Sequence, residues 1–227
     1  MKSFLNRFKR LKKLFFILLI FAILALLYFY YIIILDPENT KSVFYNLEPA
    51  EINLLQEGDM VLRRGYGTFS DGIVKVQNGK LEATHCAMLV AKNKNWQVIH
   101  ALSSSVSPID GTQYQSFRTF LNESKPNSIV VVRFKSSKDT LQALVKALEY
   151  YANNRKPFDH DFNKQDTSKF YCSELFQHVF KKVLKKDIFE GQLDSNTTGI
   201  YDLTTFQDLR YFKEVINHQK RNSSGNF

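Results

Sequence analysis

The sequence predicts an α+β domain preceded by a single helix long enough to cross a bilayer. Three observations carry this. Residues 14–35 (LFFILLIFAILALLYFYYIIIL) contain neither charge nor proline. Residues 84–91, 96–102 and 128–134 are short apolar runs with polar links around them, which reads as strands. Residues 138–153 and 168–185 carry apolar side chains at helical spacing.

The N-terminal run of 22 residues matches a hydrocarbon core about 30 Å thick with slight tilt. It is too long for the apolar part of a signal peptide, and its exit, YFYYIIILDPENT, offers no small-residue cleavage site. It contains no cysteine for lipid attachment. Lys2, Arg7, Lys9, Arg10, Lys12 and Lys13 precede it with no acidic residue among them. This basic segment, 1–13, predicts a cytoplasmic N-terminus, a single pass through the membrane and a domain facing the periplasm or exterior. Tyr28, Tyr30 and Tyr31 suit an interfacial belt. The chain has 31 basic and 22 acidic residues, a net charge of +9. Removing the six basic residues of the flank leaves 25 against 22, or +3. The basicity is therefore mostly a topology signal, and the lipid bilayer, not nucleic acid, is the partner it predicts.

Residues 36–50 read as a polar connector with two prolines. The domain is expected over 51–216, long enough for one proper core. A short helix over 51–57 leads to Gly58-Asp59, and Met60 to Arg64 reads as a weakly alternating strand. Residues 65–72 (GYGTFSDG) are turn-rich; without a following lysine and helix they make no phosphate loop. The link KNKN joins 84–91 to 96–102 as a hairpin, and 128–134 (SIVVVRF) is a further strand. Leu141, Leu144, Val145, Leu148 and Tyr151 make the stripe of the first helix, with Ser136 or Ser137 as cap. The second is expected from a cap at Thr167 or Ser168 to about Lys185, with Cys172, Leu175, Phe176, Val179 and Val183 as its stripe. Residues 186–216 show no clear pattern, and 217–227 read as a disordered tail.

Cys172 is the residue of chemical interest. Near a helix N-terminus, unpaired N–H groups and the dipole favour a thiolate. A core thiol on the apolar stripe explains the same position. Two histidines tilt the balance. With Lys92–Asn95 as the hairpin link, Ala91 pairs with Trp96 and Ala87 with His100, so His85 and His100 share one face as diagonal neighbours. That is a base with a group to orient it. Cys86 must then point to the opposite face as a core residue, and if His85 and Cys172 meet, a Cys86–Cys172 bridge is disfavoured. His178, six residues past Cys172, faces elsewhere. Asp159-His160-Asp161 invites a metal reading with His85 and His100, but generic spacing favours a solvated loop, and neither metal nor cofactor is expected.

In the family's order, the residues Gly58-Asp59-Met60-Val61-Leu62-Arg63, Thr84-His85, Val98-Ile99-His100-Ala101, Pro157-Phe158-Asp159-x-x-Phe162 and Tyr171-Cys172-Ser173-Glu174-Leu175 resemble the YiiX/YaeF type of permuted papain-like amidases. These are circularly permuted relatives of the NlpC-type cell-wall hydrolases, and the resemblance covers roughly 55–185. It implies a permuted papain-like fold, with helices packed on an antiparallel, barrel-like sheet. It implies Cys172 as nucleophile, His85 as base and His100 as the orienting residue, where the family often has glutamate. Phe158 stands where tyrosine is frequent. Tyr171, Asp59 and Glu174 fall in the vicinity of substrate and oxyanion, with no catalytic step assigned to Glu174.

The activity so implied is cleavage of a small amide, peptide-like or ester substrate by a membrane-anchored cysteine hydrolase, with cell-envelope material as one source. Two readings compete: a binding module that keeps the fold without turnover, and a lipid-directed acyltransferase or acyl hydrolase. The latter group's asparagine before the cysteine is missing here, where Tyr171 stands.

Overall fold

The computed structural model describes residues 2–31, 44–76, 81–163, 165–190 and 202–223. Residues 1–42 and 43–227 form separate compact units. The first is a helix, α1 (Lys2–Tyr30), in which Lys9–Tyr30 is long and apolar enough to cross a membrane. The last residues of the predicted span, 32–35, and most of the connector lie outside the described residues.

The second unit runs α2 (Pro49–Ile52), β1 (Met60–Arg63), α3 (Thr68–Val76), β2 (His85–Lys92), β3 (Asn95–Leu102), β4 (Gly111–Ser116), α4 (Phe117–Asn122), β5 (Val130–Phe134), α5 (Lys138–Asn153), α6 (Cys172–Leu184), a 3-10 turn (Leu203–Gln207), β6 (Phe212–Asn217) and α7 (His218–Ser223). Its six strands form one antiparallel sheet in the order β4-β3-β2-β1-β5-β6. The sheet is open and does not close into the expected barrel-like form. β4 passes straight into α4 and β6 into α7, so neither edge is carried round to the other.

Both faces of the sheet are covered. Met60, Leu62, Cys86, Met88, Ile99 and Val132 pack on one side with Leu144 and Leu148 of α5 and Leu175, Phe176 and Val179 of α6. Val61, Ala87, Leu89, Val98 and Val131 pack on the other with Phe117 and Phe120 of α4. Central β1 is therefore buried at every position, which is why its sequence alternates so weakly. Each such side chain removed from water contributes about 1.5–3 kcal/mol.

The hairpin follows the predicted register, Ala91↔Trp96 with Lys92↔Asn95. Asn93 and Lys94 form its tip with φ of 52° and 64°, as a two-residue turn between twisted strands requires. α5 occupies 138–153, capped by Ser137. Gly111 opens β4 at φ +89°, where a Cβ would lie 2.2 Å from the Lys156 carbonyl oxygen, so only glycine brings this edge against the 156–163 loop.

Elsewhere the chain differs from expectation. The turn-rich 65–72 segment leads into α3, and β4, α4 and β6 arise where the pattern was mute. α6 begins at Cys172, because Asp166 holds the Ser168 amide and hydroxyl in a turn at 2.9 and 2.6 Å, delaying helix onset. The predicted disordered tail is structured through residue 223. His218 is buried between Tyr45, which bonds Nδ1, and Glu51, 2.8 Å from Nε2. Residues 224–227 lie outside the described residues.

Candidate active site

β2 ends its pairing with β3 at Met88↔Ile99, so His85, Cys86 and Ala87 pair with β1 on one edge. The Leu89 amide donates to Asp59 at 2.8 Å. Alternation along an antiparallel ladder then turns the Cys86 amide away from β1, toward the unpaired edge. It is among the amides that favour a thiolate at Cys172.

Cys172 is the first residue of α6, with Tyr171 as N-cap, and is partly exposed. Its pKa is lowered chiefly by the neighbouring Cys86 thiol acting as donor; burial opposes this, and the amides of Ser173, Cys86 and Cys172 itself add to it. Cys86 is driven the other way. Burial pushes its thiol well up, and the developing charge on Cys172 adds to that. The two thiols thus divide the roles of ionising sulfur and protonated donor.

His85 and His100 meet as predicted, with Nε2 of His85 2.9 Å from Nδ1 of His100 and ring centroids 5.1 Å apart. Phe120 packs against both. This places the pair on the α4 side of the sheet, whereas Cys172 packs with Cys86 on the α6 side. Among the described residues, no hydrogen bond joins Cys172 to His85. Cys86 does point away from His85, as expected, but that direction leads to Cys172, not away from it.

Arg63 stands with the histidines. It pairs with His85 in register, lies 4.7 Å over the Phe120 ring and reaches Glu123 at 3.4 Å. Burial lowers its pKa to about 10, while Glu123 and the Cys172 charge oppose this. Sequence reasoning missed it. The signal was the doublet Arg63-Arg64 closing a strand, since alternation must turn one of the two inward.

His85 lies well below the usual imidazole range through burial, with Arg63 and His100 adding to it. His100, fully buried, is pushed down to about 3 by burial and by Arg63. Both rings are neutral at pH 7. Unfolded imidazole titrates near 6.5, so between pH 6.5 and 3 the unfolded chain binds a proton at residue 100 that the folded domain refuses. Acidification through this window lowers stability, by about 1.4 kcal/mol per pH unit for one such group. Melts at pH 7.5 and 5.5 should show the parent losing stability and His100→Gln losing less; identical slopes would contradict the assignment.

The remaining candidates fall apart spatially. Asp59 holds Arg133 in a two-point ion pair at 2.7 and 2.9 Å. It lies four strand residues from Arg63, about 13 Å away along the sheet, so the structure does not bring it to the thiol. Glu174 accepts from the Tyr171 amide at 3.2 Å as an α6 cap. Tyr171 is buried with its ring 5.3 Å from that of Phe162. His178 bonds the Tyr151 hydroxyl at 2.9 Å, and His160 reaches Asp110 at 3.0 Å. Among the described residues, no cluster of three or more His, Cys, Asp or Glu is arranged to hold a metal ion.

A thiol at a helix N-terminus against an antiparallel sheet, with histidines at the adjoining strand ends, defines the papain-like class; here the histidine strands precede the cysteine helix, as in its circularly permuted branch. Residues 54–199 match the family described as permuted papain-like amidase enzyme, YaeF/YiiX, C92 family, and the chain belongs to that family. Membership implies amidase-type hydrolytic activity in general. Among solved structures, yiiX from Escherichia coli O157:H7, described as a metalloprotein, is similar in fold: TM-score 0.57, 18% identity, covering 71% of this chain and 97% of the other. Comparison with curated proteins gives no match.

Proposed function

We propose that this chain is a membrane-tethered cysteine hydrolase acting on a small amide or ester through covalent catalysis at Cys172. The observation that carries the reading is the place of Cys172, a partly exposed thiol as the first residue of α6, where the Cys86 thiol and nearby amides draw its pKa down. That is the environment a nucleophilic thiolate requires. The sulfur attacks the carbonyl carbon, and the same amides receive the oxyanion. His85 has committed Nε2 to His100, which leaves Nδ1 to take the thiol proton and return it to the leaving nitrogen or oxygen. Being neutral at pH 7, it is ready as a base. Water then releases the acyl group. His85 is the first residue of β2, and the step requires a rearrangement at that strand start which carries its ring round to the face on which Cys172 lies, a larger change than the tightening common between free and substrate-bound sites. Arg63 stabilises the thiolate by charge meanwhile.

The metal of the yiiX description finds no fit here, because among the described residues no three His, Cys, Asp or Glu side chains stand together to hold one, and no step is assigned to it. The basic flank and α1 support tethering, with the catalytic unit outside the cytoplasm. Reporter enzymes fused to the C-terminus check this: only the periplasmic or exterior reporter should be active.

A thiol probe such as iodoacetamide, applied to the folded chain across pH, tests the chemistry. Cys172 should be alkylated well before Cys86, with a midpoint below that of an ordinary thiol. Equal or absent labelling overturns the nucleophile and favours the binding module, the reading that the separation of Cys172 from the histidine pair supports.

A further inference from the structure

We propose that the cleft where β5 turns into α5 is a binding site for a phosphate monoester, separate from the thiol and independent of the hydrolase reading. The cleft encloses about 580 Å³, within the usual range for small-molecule sites. Arg133, Lys135, Lys138 and Lys213 line it. They come from β5 and its exit, the start of α5, and β6. Arg133 and Lys213 stand directly opposite each other in the β5–β6 ladder. Like charges so placed destabilise a strand pair, and the two-point bond from Arg133 to the fully buried Asp59 offsets only one of them.

The charges do not cancel locally. Glu57 is the single carboxylate among the described lining residues. With Asp59 set against Arg133 and Glu57 against one lysine, two of the four positive charges remain unopposed. The neighbouring acids do not change this. Glu214, next to Lys213 in sequence, is engaged by Lys220 at 2.8 Å, and Asp139, next to Lys138, is not part of the lining. Donors remain as well. Lys135 gives one N–H to the Leu209 carbonyl at 2.7 Å and keeps two. Lys138 and Lys213 make no ion pair among the described residues. A phosphate monoester carries about −1.5 to −2 at pH 7 on three acceptor oxygens, which matches that surplus; a carboxylate brings half of it. Leu141 and Val145 of α5 add an apolar wall, which suits a ligand whose phosphate is esterified to an apolar group. Asp59 lies about 13 Å along β1 from Arg63, so a ligand held here sits away from the histidine end of the sheet.

The experiment titrates phenyl phosphate into the full chain, held in phosphatidylcholine nanodiscs, by calorimetry. The parent should bind with a Kd of about 1 mM or below, more weakly as salt rises, and more tightly than it binds inorganic phosphate, which has no apolar group. The double variant Lys138→Glu, Lys213→Glu should lose about tenfold or more in affinity. Both side chains are exposed, so its melt should match the parent's. Glu57→Gln should instead tighten binding, a gain that a damaged fold does not produce. Discs carrying phosphatidic acid, compared with discs carrying as much phosphatidylglycerol, separate the sources of the ligand at similar surface charge. Weaker apparent binding of phenyl phosphate in the phosphatidic acid discs shows that monoester headgroups fill the cleft, and equal binding shows that the site takes soluble phosphoesters; either supports it. No binding to the parent at millimolar concentration, or equal affinity in the parent and the double variant, overturns it.

Discussion

Cys172→Ala should lower hydrolysis of an activated ester such as p-nitrophenyl acetate by about a thousandfold or more, the scale on which removal of a covalent nucleophile acts. The substitution deletes one sulfur from a partly exposed helix start and leaves the amides and the α6 cap in place, so the melt should move little. An activated ester is a suitable probe because its leaving group needs no proton, which isolates attack by sulfur from the work of His85. A burst of acyl-enzyme in the parent, absent in the variant, would show the covalent step directly. Parent-level hydrolysis by Cys172→Ala would place the nucleophile elsewhere or leave the fold a binding module.

His100→Ala should cost about a hundredfold to ten-thousandfold in turnover of an amide probe, since loss of the orienting partner leaves the base in the wrong tautomer or angle. Cys172 lies across the sheet from His100, so alkylation at high pH, where the thiolate forms unaided, should be retained. That split distinguishes a positioning residue from a nucleophile. His100→Glu should equal or exceed the parent, because a carboxylate stabilises the imidazolium that develops on His85 more than a neutral ring does. Arg63, whose charge already reaches residue 100, offers the new carboxylate a counter-charge in a fully buried place. Its pH profile should move upward as the His85 pKa recovers from its depressed value. Melts beside the kinetics check that the buried charge leaves the fold intact. Full amide turnover in His100→Ala would make His100 a packing residue only.

Local pattern determined much of this protein. The uncharged N-terminal run, the stripe of α5 and the β2–β3 hairpin register follow from periodicity and one short link, each a relation between residues close in sequence. The hairpin register was enough to bring His85 beside His100. The five motifs in family order identified the fold, although the barrel-like closure they suggested is absent.

Only the tertiary structure decided where the thiol goes. β1 and β2 are apolar on both faces, because α5 and α6 cover one and α4 the other. Alternation along such a strand says which residues share a face but not which helix lies over it. The side taken by α6 therefore had no trace in the strand pattern, and it put Cys172 against the core face that holds Cys86, with Arg63 and the histidines on the Phe120 side. The contacts of His218 with Glu51 and Tyr45 span 167 and 173 residues; no nearby residue records them, and a polar tail that reads as solvated is held in the fold by them.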